Sequence, residues 1–303
     1  MWQAYEMPES IEEALEILAH YEGQARVIAG GTDLVIELEE NKCRADCLVD
    51  VTRIPGLDAI EQHDGQIVLG ANVTFRQVKE STLVRQQARV LAEAAGTVGA
   101  LQIQTVATLA GNIVSALPAA DGSVALSVLD AEVEVTGREG RRWRPIGELF
   151  LGPGRSAVDP TQEMITAIRF PAPQGRHGSA WERIGRRRAL VLPILNCGVS
   201  LALENGDGQD GPRIAWARLG LGPVAPVPFR ARQTEAFLQG RPATEETFLQ
   251  AGEIAAGEAK PRTSLLRASK EYRIEVLKVL VRQGLTRATE EARSRAGEAR
   301  SRG

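Results

Sequence analysis

Residues Val27–Glu40 read VIAGGTDLVIELEE. A short β-prone piece runs into two adjacent glycines, and helix-forming residues follow at once. The reading of Ala29-Gly30-Gly31-Thr32 decides the fold. A tight turn capped by Thr32 or Asp33 is the ordinary use of such a stretch. The other use is a backbone cradle. Glycine reaches positive φ and carries no Cβ to hold a ligand away, so successive amides at a helix start can receive an anion.

A second stretch, Thr108–Asp121 (TLAGNIVSALPAAD), has the same features: Ala110 and Gly111 precede Asn112, with Ser115 just beyond. Neither stretch contains Lys or Arg, so an anion held there is expected on N–H groups and not on side-chain charge. One such loop suits one phosphate. Two loops brought together suit a pyrophosphate, which points to a dinucleotide. Either loop alone is an ordinary turn. The G-x-G-x-x-G fingerprint followed by an acidic residue is absent from the first β-α unit, which argues against a Rossmann NAD site.

Outward from these loops the pattern is mixed. Ser10 and Glu13 form a capping box before SIEEALEILAH, whose Ile11, Leu15 and Leu18 keep helical spacing. ARVIAG, CLVDV, QIVLGA, AEVEV and EMITAIRFPAP read as strands, and Thr74 caps TFRQVKE. Leu83–Gly96 reads as one amphipathic helix, and a further helix is expected with Asp121 or Ser123 as its cap. Pro171–Gly178 (PAPQGRHG) is rich in Pro and Gly and is the expected domain boundary. Beyond it, SAWERI, NCGVSLAL and IAWARLGL read as strands, with NGDGQDG as a hairpin loop. Helices are expected over Ala231–Gln239, Glu245–Ala256 and Ser269–Val281. Strands followed by helices indicate an α+β unit. The tail from Arg287 onward is charged and Ala-rich, and is expected to fray or to be disordered.

Bulk properties narrow the function. A chain of 303 residues, 43% hydrophobic and 25% charged, can bury about two cores. A net charge of -3 gives no general attraction to nucleic acid. No apolar run reaches about 18 residues, so no membrane span is expected. The acidic N-terminus, MWQAYEMPESIEEALEIL, lacks the order of a signal peptide, so a cytoplasmic location is expected. Cys43, Cys47 and Cys197 are an odd set that argues against a disulfide framework. The C-x3-C pair has no second pair to complete four metal ligands. His20, His63 and His177 stand apart in sequence, which leaves little material for a metal site or a triad.

As an ordered set, AGGTDL, LVDVTRIPGL, IVLGANVTFRQV, TVATLAGNIVSALPAAD, ELFLGPGRSAVDPTQEMITAIRFPAP, GPVAPVPFRARQTEAFLQG and ASKEYRIEVLKVLVRQGL resemble one family. It is that of the FAD-binding (medium) subunits of molybdenum hydroxylases, which includes aerobic carbon monoxide dehydrogenase and xanthine dehydrogenase. The resemblance runs from Tyr5 to about Leu285. It implies an α+β fold: a FAD-binding fold of the vanillyl-alcohol-oxidase type, with two α+β subdomains, followed by a C-terminal α+β domain of the CO dehydrogenase flavoprotein type. The expected divisions are 1–174 for the FAD-binding domain (subdomains about 1–55 and 56–174), 175–285 for the C-terminal domain, and 286–303 for the tail.

The resemblance also assigns residues. Ala29, Gly30, Gly31, Thr32 and Asp33 match the first pyrophosphate loop of the family. Thr108, Gly111 and Asn112 match the second, usually T-[IL]-G-G-[ND]. Ala110 replaces a glycine there, which costs of order 1 kcal/mol if the position needs φ > 0. Val114 and Asp121 match further flavin- or adenosine-contacting positions, and Ile165 falls near an apolar ring contact. Arg183 falls near a basic residue that approaches the isoalloxazine in relatives; a solvated strand residue is the alternative. Arg186–Arg188 is either a partner-facing run or a solvated basic edge.

The implied function is electron transfer. Substrate is oxidised at a molybdenum cofactor on a large subunit, electrons pass through [2Fe–2S] clusters on a small subunit to FAD on this chain, and an external acceptor such as NAD or a quinone receives them. The chain lacks cysteine motifs for such clusters and the cysteine-rich insertion of the benzoyl-CoA-reducing branch. Two alternatives stay open: a free-standing FAD-dependent oxidase or reductase, which its few histidines and 4% aromatic content disfavour, and a non-catalytic assembly subunit.

Overall fold

The computed structural model describes residues 2–187, 189–206, 211–264 and 267–301. The chain starts with β1 (Ala4–Glu6), α1 (Ile11–His20), β2 (Ala25–Ile28), α2 (Leu34–Glu39) and β3 (Cys47–Asp50). Ser10 Oγ accepts the Glu13 amide at 3.1 Å and starts α1, which buries Ala14 and Leu18. The three strands form a parallel sheet in the order β1-β3-β2. β3 is central and buried along its length.

A second unit follows: β4 (Ile60–His63), β5 (Gln66–Gly70), α3 (Phe75–Glu80), α4 (Thr82–Gln87), α5 (Arg89–Thr97), α6 (Leu101–Gln104), α7 (Leu109–Val114), α8 (Asp121–Ser127), β6 (Glu132–Gly137), β7 (Gly140–Pro145), the small hairpin β8 (Phe150–Gly152) and β9 (Arg155–Ser156), and β10 (Glu163–Pro171). An antiparallel sheet of order β4-β5-β10-β6-β7 backs the helices. Thr74 and Gln77 exchange the two bonds of a capping box at α3. The core here packs Ile67, Leu69 and Ile168 of the sheet with Leu91, Leu109 and Leu126 of the helices.

The stretch expected as one helix over Leu83–Gly96 is two. It breaks at buried Ala88, whose φ is -142° and ψ 57°. The Val90 amide released by the break donates to Ser179 Oγ at 3.1 Å, so a long-range contact takes over from the helix ladder.

The last part contains β11 (His177–Ile184), β12 (Leu195–Glu204), β13 (Arg213–Gly222), β14 (Phe229–Arg230), α9 (Arg232–Leu238), α10 (Glu245–Glu258) and α11 (Lys270–Ser301). The four strands form an antiparallel sheet in chain order, with α10 and α11 packed together beside it. Residues 207–210 of the NGDGQDG loop and Arg188 of the arginine run lie outside the described residues.

The tail expected to fray is instead the continuation of α11. Ala288 and Ala292 are fully buried against Gly178, where a Cβ would stand 2.0 Å from Ala288 O. The alanines therefore serve close packing of helix on strand. Glu291 accepts the Ser179 amide at 2.8 Å, and Arg287 pairs with both Glu93 and Glu182 at 2.7 Å. These contacts tie the tail to β11 and to α5.

Candidate functional site

The two glycine loops lead into α2 and α7, and the structure brings them against each other. Gly31 has φ +67°, and a Cβ there would lie 3.2 Å from Ile28 Cδ1 and from Val35 Cγ2. Gly30 is demanded by close approach: its Cβ would lie 1.9 Å from Val106 O, on the segment that feeds the second loop. Ser115, just after α7, donates to Asp33 Oδ2 at 2.6 Å and closes the join.

The loops are not equivalent. Among the described residues the amides of Gly30, Gly31, Thr32, Asp33 and Leu34 meet no protein acceptor. In the second loop Thr108 takes the Gly111 amide on Oγ1 (3.0 Å) and the Asn112 amide on its carbonyl (3.2 Å), which leaves the Ala110 amide without an acceptor. Ala110 lies within α7 and not in the left-handed region, so the penalty foreseen for replacing glycine there does not arise. A Cβ on Gly111 would meet only Thr108 Oγ1, at 3.1 Å.

Asn112 turns its side chain inward. Its Oδ1 accepts the Ser123 amide at 3.1 Å and so caps α8, a task the sequence reading gave to Asp121 or Ser123. Asp121, the first residue of α8, is buried and exchanges with the C-terminal sheet. It accepts from Asn196 Nδ2 at 2.6 Å, and its Oδ2 lies 3.3 Å from Arg183 Nε. Burial raises its pKa to about 6, against the opposing pull of Arg183 and Asn196.

A cleft of about 940 Å³ opens along both loops, at the upper end of the range for small-molecule sites. Of the expected site residues, all but Arg183 line it. Arg183 is neither a solvated strand residue nor a cleft residue. Its side chain is 9% exposed, donates to Val191 O at 2.5 Å, and has Nε 3.3 Å from Asp121 Oδ2.

The sequence reading missed two sets of lining residues. Arg26, Lys42 and Arg155 stand in the walls among the carboxylates Asp33, Glu37, Asp121, Asp159 and Glu163, with Lys42 paired to Glu40 at 2.5 Å. Arg26 is the nearest signal, four residues before Gly30 on the strand that feeds the loop. Phe75, Ile103, Leu117, Leu151, Met164 and Leu192 form apolar stretches of wall, drawn from distant segments.

No group of three His, Cys, Asp or Glu suited to a metal occurs among the described residues. Cys43, Cys47 and Cys197 are free thiols, Cys43 half-buried beside the cleft and the others buried. His177 is buried with Arg295 beside it at 3.4 Å; burial and that charge lower its pKa to about 4. Among the described residues no helix is long and apolar enough to cross a membrane.

Comparison with known proteins gives a consistent set. Residues 2–173 match the FAD-binding domain of molybdopterin dehydrogenases, and residues 181–288 match the C-terminal domain of CO dehydrogenase flavoproteins. The xanthine dehydrogenase FAD-binding subunit of Escherichia coli O157:H7 is 29% identical over 94% of this chain and 95% of its own length. The nicotinate dehydrogenase FAD-subunit of Eubacterium barkeri is 30% identical over 80% of this chain and 81% of its own. A chain of the solved carbon monoxide dehydrogenase from Hydrogenophaga pseudoflava superposes with a TM-score of 0.88 at 26% identity, covering 96% of this chain and 98% of that one.

Proposed function

This chain belongs to the family of FAD-binding subunits of molybdopterin dehydrogenases, and on that premise we propose that it is the electron-transfer flavoprotein of a molybdenum hydroxylase complex. Its cofactor is FAD, and it is a flavoprotein subunit of an oxidoreductase. We assign substrate oxidation to a large subunit with a molybdenum cofactor and delivery of electrons to [2Fe–2S] clusters of a small subunit. The external acceptor is NAD or a quinone, and the location is cytoplasmic. FAD exchanges electrons singly and in pairs, which suits a junction between one-electron clusters and a two-electron acceptor.

The observation that carries the site reading is the convergence of the two loops on one cleft, with the amides of Gly30 through Leu34 unclaimed. Those amides and the Ala110 amide receive the diphosphate. Arg26, Lys42 and Arg155 place cations on walls that also carry Asp33, Glu37, Asp121, Asp159 and Glu163, so the amides remain the main anion-binding element. Thr108, Gly111 and Asn112 shape the second loop, while Val114, Ile165 and the apolar walls accept rings. Asp121 supplies an acceptor. Gly30, Gly31 and Gly111 fit this use: a Cβ at Gly30 would collide with Val106 O, Gly31 holds φ +67°, and a Cβ at Gly111 would press on Thr108 Oγ1. We take 1–174 as the FAD-binding unit, with subdomains about 1–55 and 56–174. Residues 175–285 are taken as the C-terminal unit and 286–303 as the charged tail, whose described part up to Ser301 continues α11.

The test is purification of the full chain, extraction of bound nucleotide, and addition of the partner subunits with substrate. One FAD per chain, reduced only when the partners are present, supports the reading. A chain that takes up no FAD refutes it. Turnover by the chain alone favours a free-standing oxidase or reductase.

A further inference from the structure

Arg183 lies on β11 directly opposite Asn196 on β12, so the two side chains share one face of the C-terminal sheet. Both reach the same carboxylate. Asn196 donates to one oxygen of Asp121 at 2.6 Å, and Arg183 Nε stands 3.3 Å from the other without an aligned hydrogen bond. Arg183 is held in place by Val191 O, and Asn196 is fully buried. Asp121 itself forms part of the cleft wall. Each carboxylate oxygen has room for more than one donor, so Asp121 retains acceptor capacity beyond Asn196 and Arg183. A buried ion pair adds little stability by itself, which points to a task at the cleft.

We propose that Arg183 is a positioning residue for the cofactor site: it keeps Asp121 as an ionised, acceptor-only carboxylate in the cleft wall, and bound FAD donates an N–H or O–H group to it. The proposal rests on the reading of this cleft as the FAD site. The groups facing Asp121 are Arg183 from β11, Asn196 from β12 and Thr97 at the end of α5, whose hydroxyl already donates to Ala94 O at 2.7 Å. Arg183 is thus the single charge opposing the effect of burial among them. Without it the carboxyl takes up its proton at higher pH.

The experiment is titration of the FAD-free full chain with FAD between pH 5 and pH 8. For the wild type, the dissociation constant rises about tenfold between pH 7 and pH 5, as linkage to a group titrating near 6 requires. In R183M the same rise begins at higher pH. In R183K it stays near the wild-type position. In D121N binding is weaker and its dependence on pH is lost. A flat wild-type profile, or an R183M profile that coincides with the wild type, overturns the proposal. If R183M does not fold, R183Q replaces it, with the same expected rise at higher pH and the same refuting result. FAD uptake with a flat profile refutes this inference alone. No uptake at any pH refutes the FAD reading together with it.

Discussion

Replacement of Gly30 by alanine is the sharpest test of the converging loops. The new Cβ would stand 1.9 Å from Val106 O, 2.5 Å from Val106 C and 3.0 Å from Ala107 N. All three are backbone atoms, so no side-chain rotation relieves the clash. Ordinary contact needs more than about 3 Å, so the loops must separate by roughly 1 Å or more. The Ser115–Asp33 bond, 2.6 Å long, breaks under that displacement. Forcing extra volume into a packed site costs about 1–3 kcal/mol of stability. Misplacing the amides of Gly30 through Leu34 removes several charge-assisted bonds to the diphosphate. At about 1.5–3 kcal/mol for each such bond, even one lost bond weakens FAD binding by about tenfold or more. The assay is fluorescence titration of the FAD-free protein, with thermal unfolding measured in parallel. Gly96→Ala is the control: it lies in α5, its Cβ would meet only Lys79 at 3.7 Å, and it gains about 0.5–1 kcal/mol of stability. FAD binding by Gly30→Ala equal to that of the wild type would refute the convergence argument.

Four further outcomes follow from the same contacts. Ser115→Ala removes the bond to Asp33 and lowers stability by about 1 kcal/mol, read as a shift of the denaturant midpoint with FAD absent. Ala110→Gly, which restores the residue usual in relatives, destabilises the FAD-free chain by about 0.5–1 kcal/mol because the position is helical; a gain in stability would show that it needs positive φ. Burial and Arg295 hold the His177 pKa near 4, below its unfolded value, so the unfolded chain binds the extra proton. Stability from this group is complete above about pH 6.5 and is lost as pH falls toward 4. Asp121, raised to about 6, acts with the opposite sign over about pH 4–6, so His177→Asn should change the slope of stability against pH without changing that of Asp121. Truncation after Leu285 exposes the face of β11 that Ala288 and Ala292 cover. It lowers the midpoint of thermal unfolding by several degrees, whereas a dispensable tail would leave it unchanged.

Much of the fold was legible because its signals are local. The Thr74 capping box joins residues three apart in the chain, and so does the Ser10 cap of α1. Strands such as β2, β3 and β12 show as short apolar runs between turns. Legibility failed where a distant partner decided the outcome. Ala88 breaks a sound helical pattern because Ser179 accepts the released amide. The alanines after Arg287 look like a poor core until Gly178 is placed beneath them. β7 was overlooked because GRRWRP is an exposed edge strand with no buried alternation.

By itself the sequence determined that two small-residue stretches exist, that the first leads into a short helix, and that neither carries a cation; that the second already holds helix α7 at Leu109–Val114 appears only in the structure. Turn geometry and capping depend on neighbours within about four residues, so one chain is enough to see them. Tertiary structure alone decided that Gly30 meets Val106, that Ser115 reaches Asp33 across 82 residues, and that Asn196 reaches Asp121 across 75. It also decided which amides remain free, that Arg26, Lys42 and Arg155 face the cleft, and that Arg183 stands beside Asp121. Such contacts arise from packing between segments far apart in the chain, and no local rule of residue order encodes them.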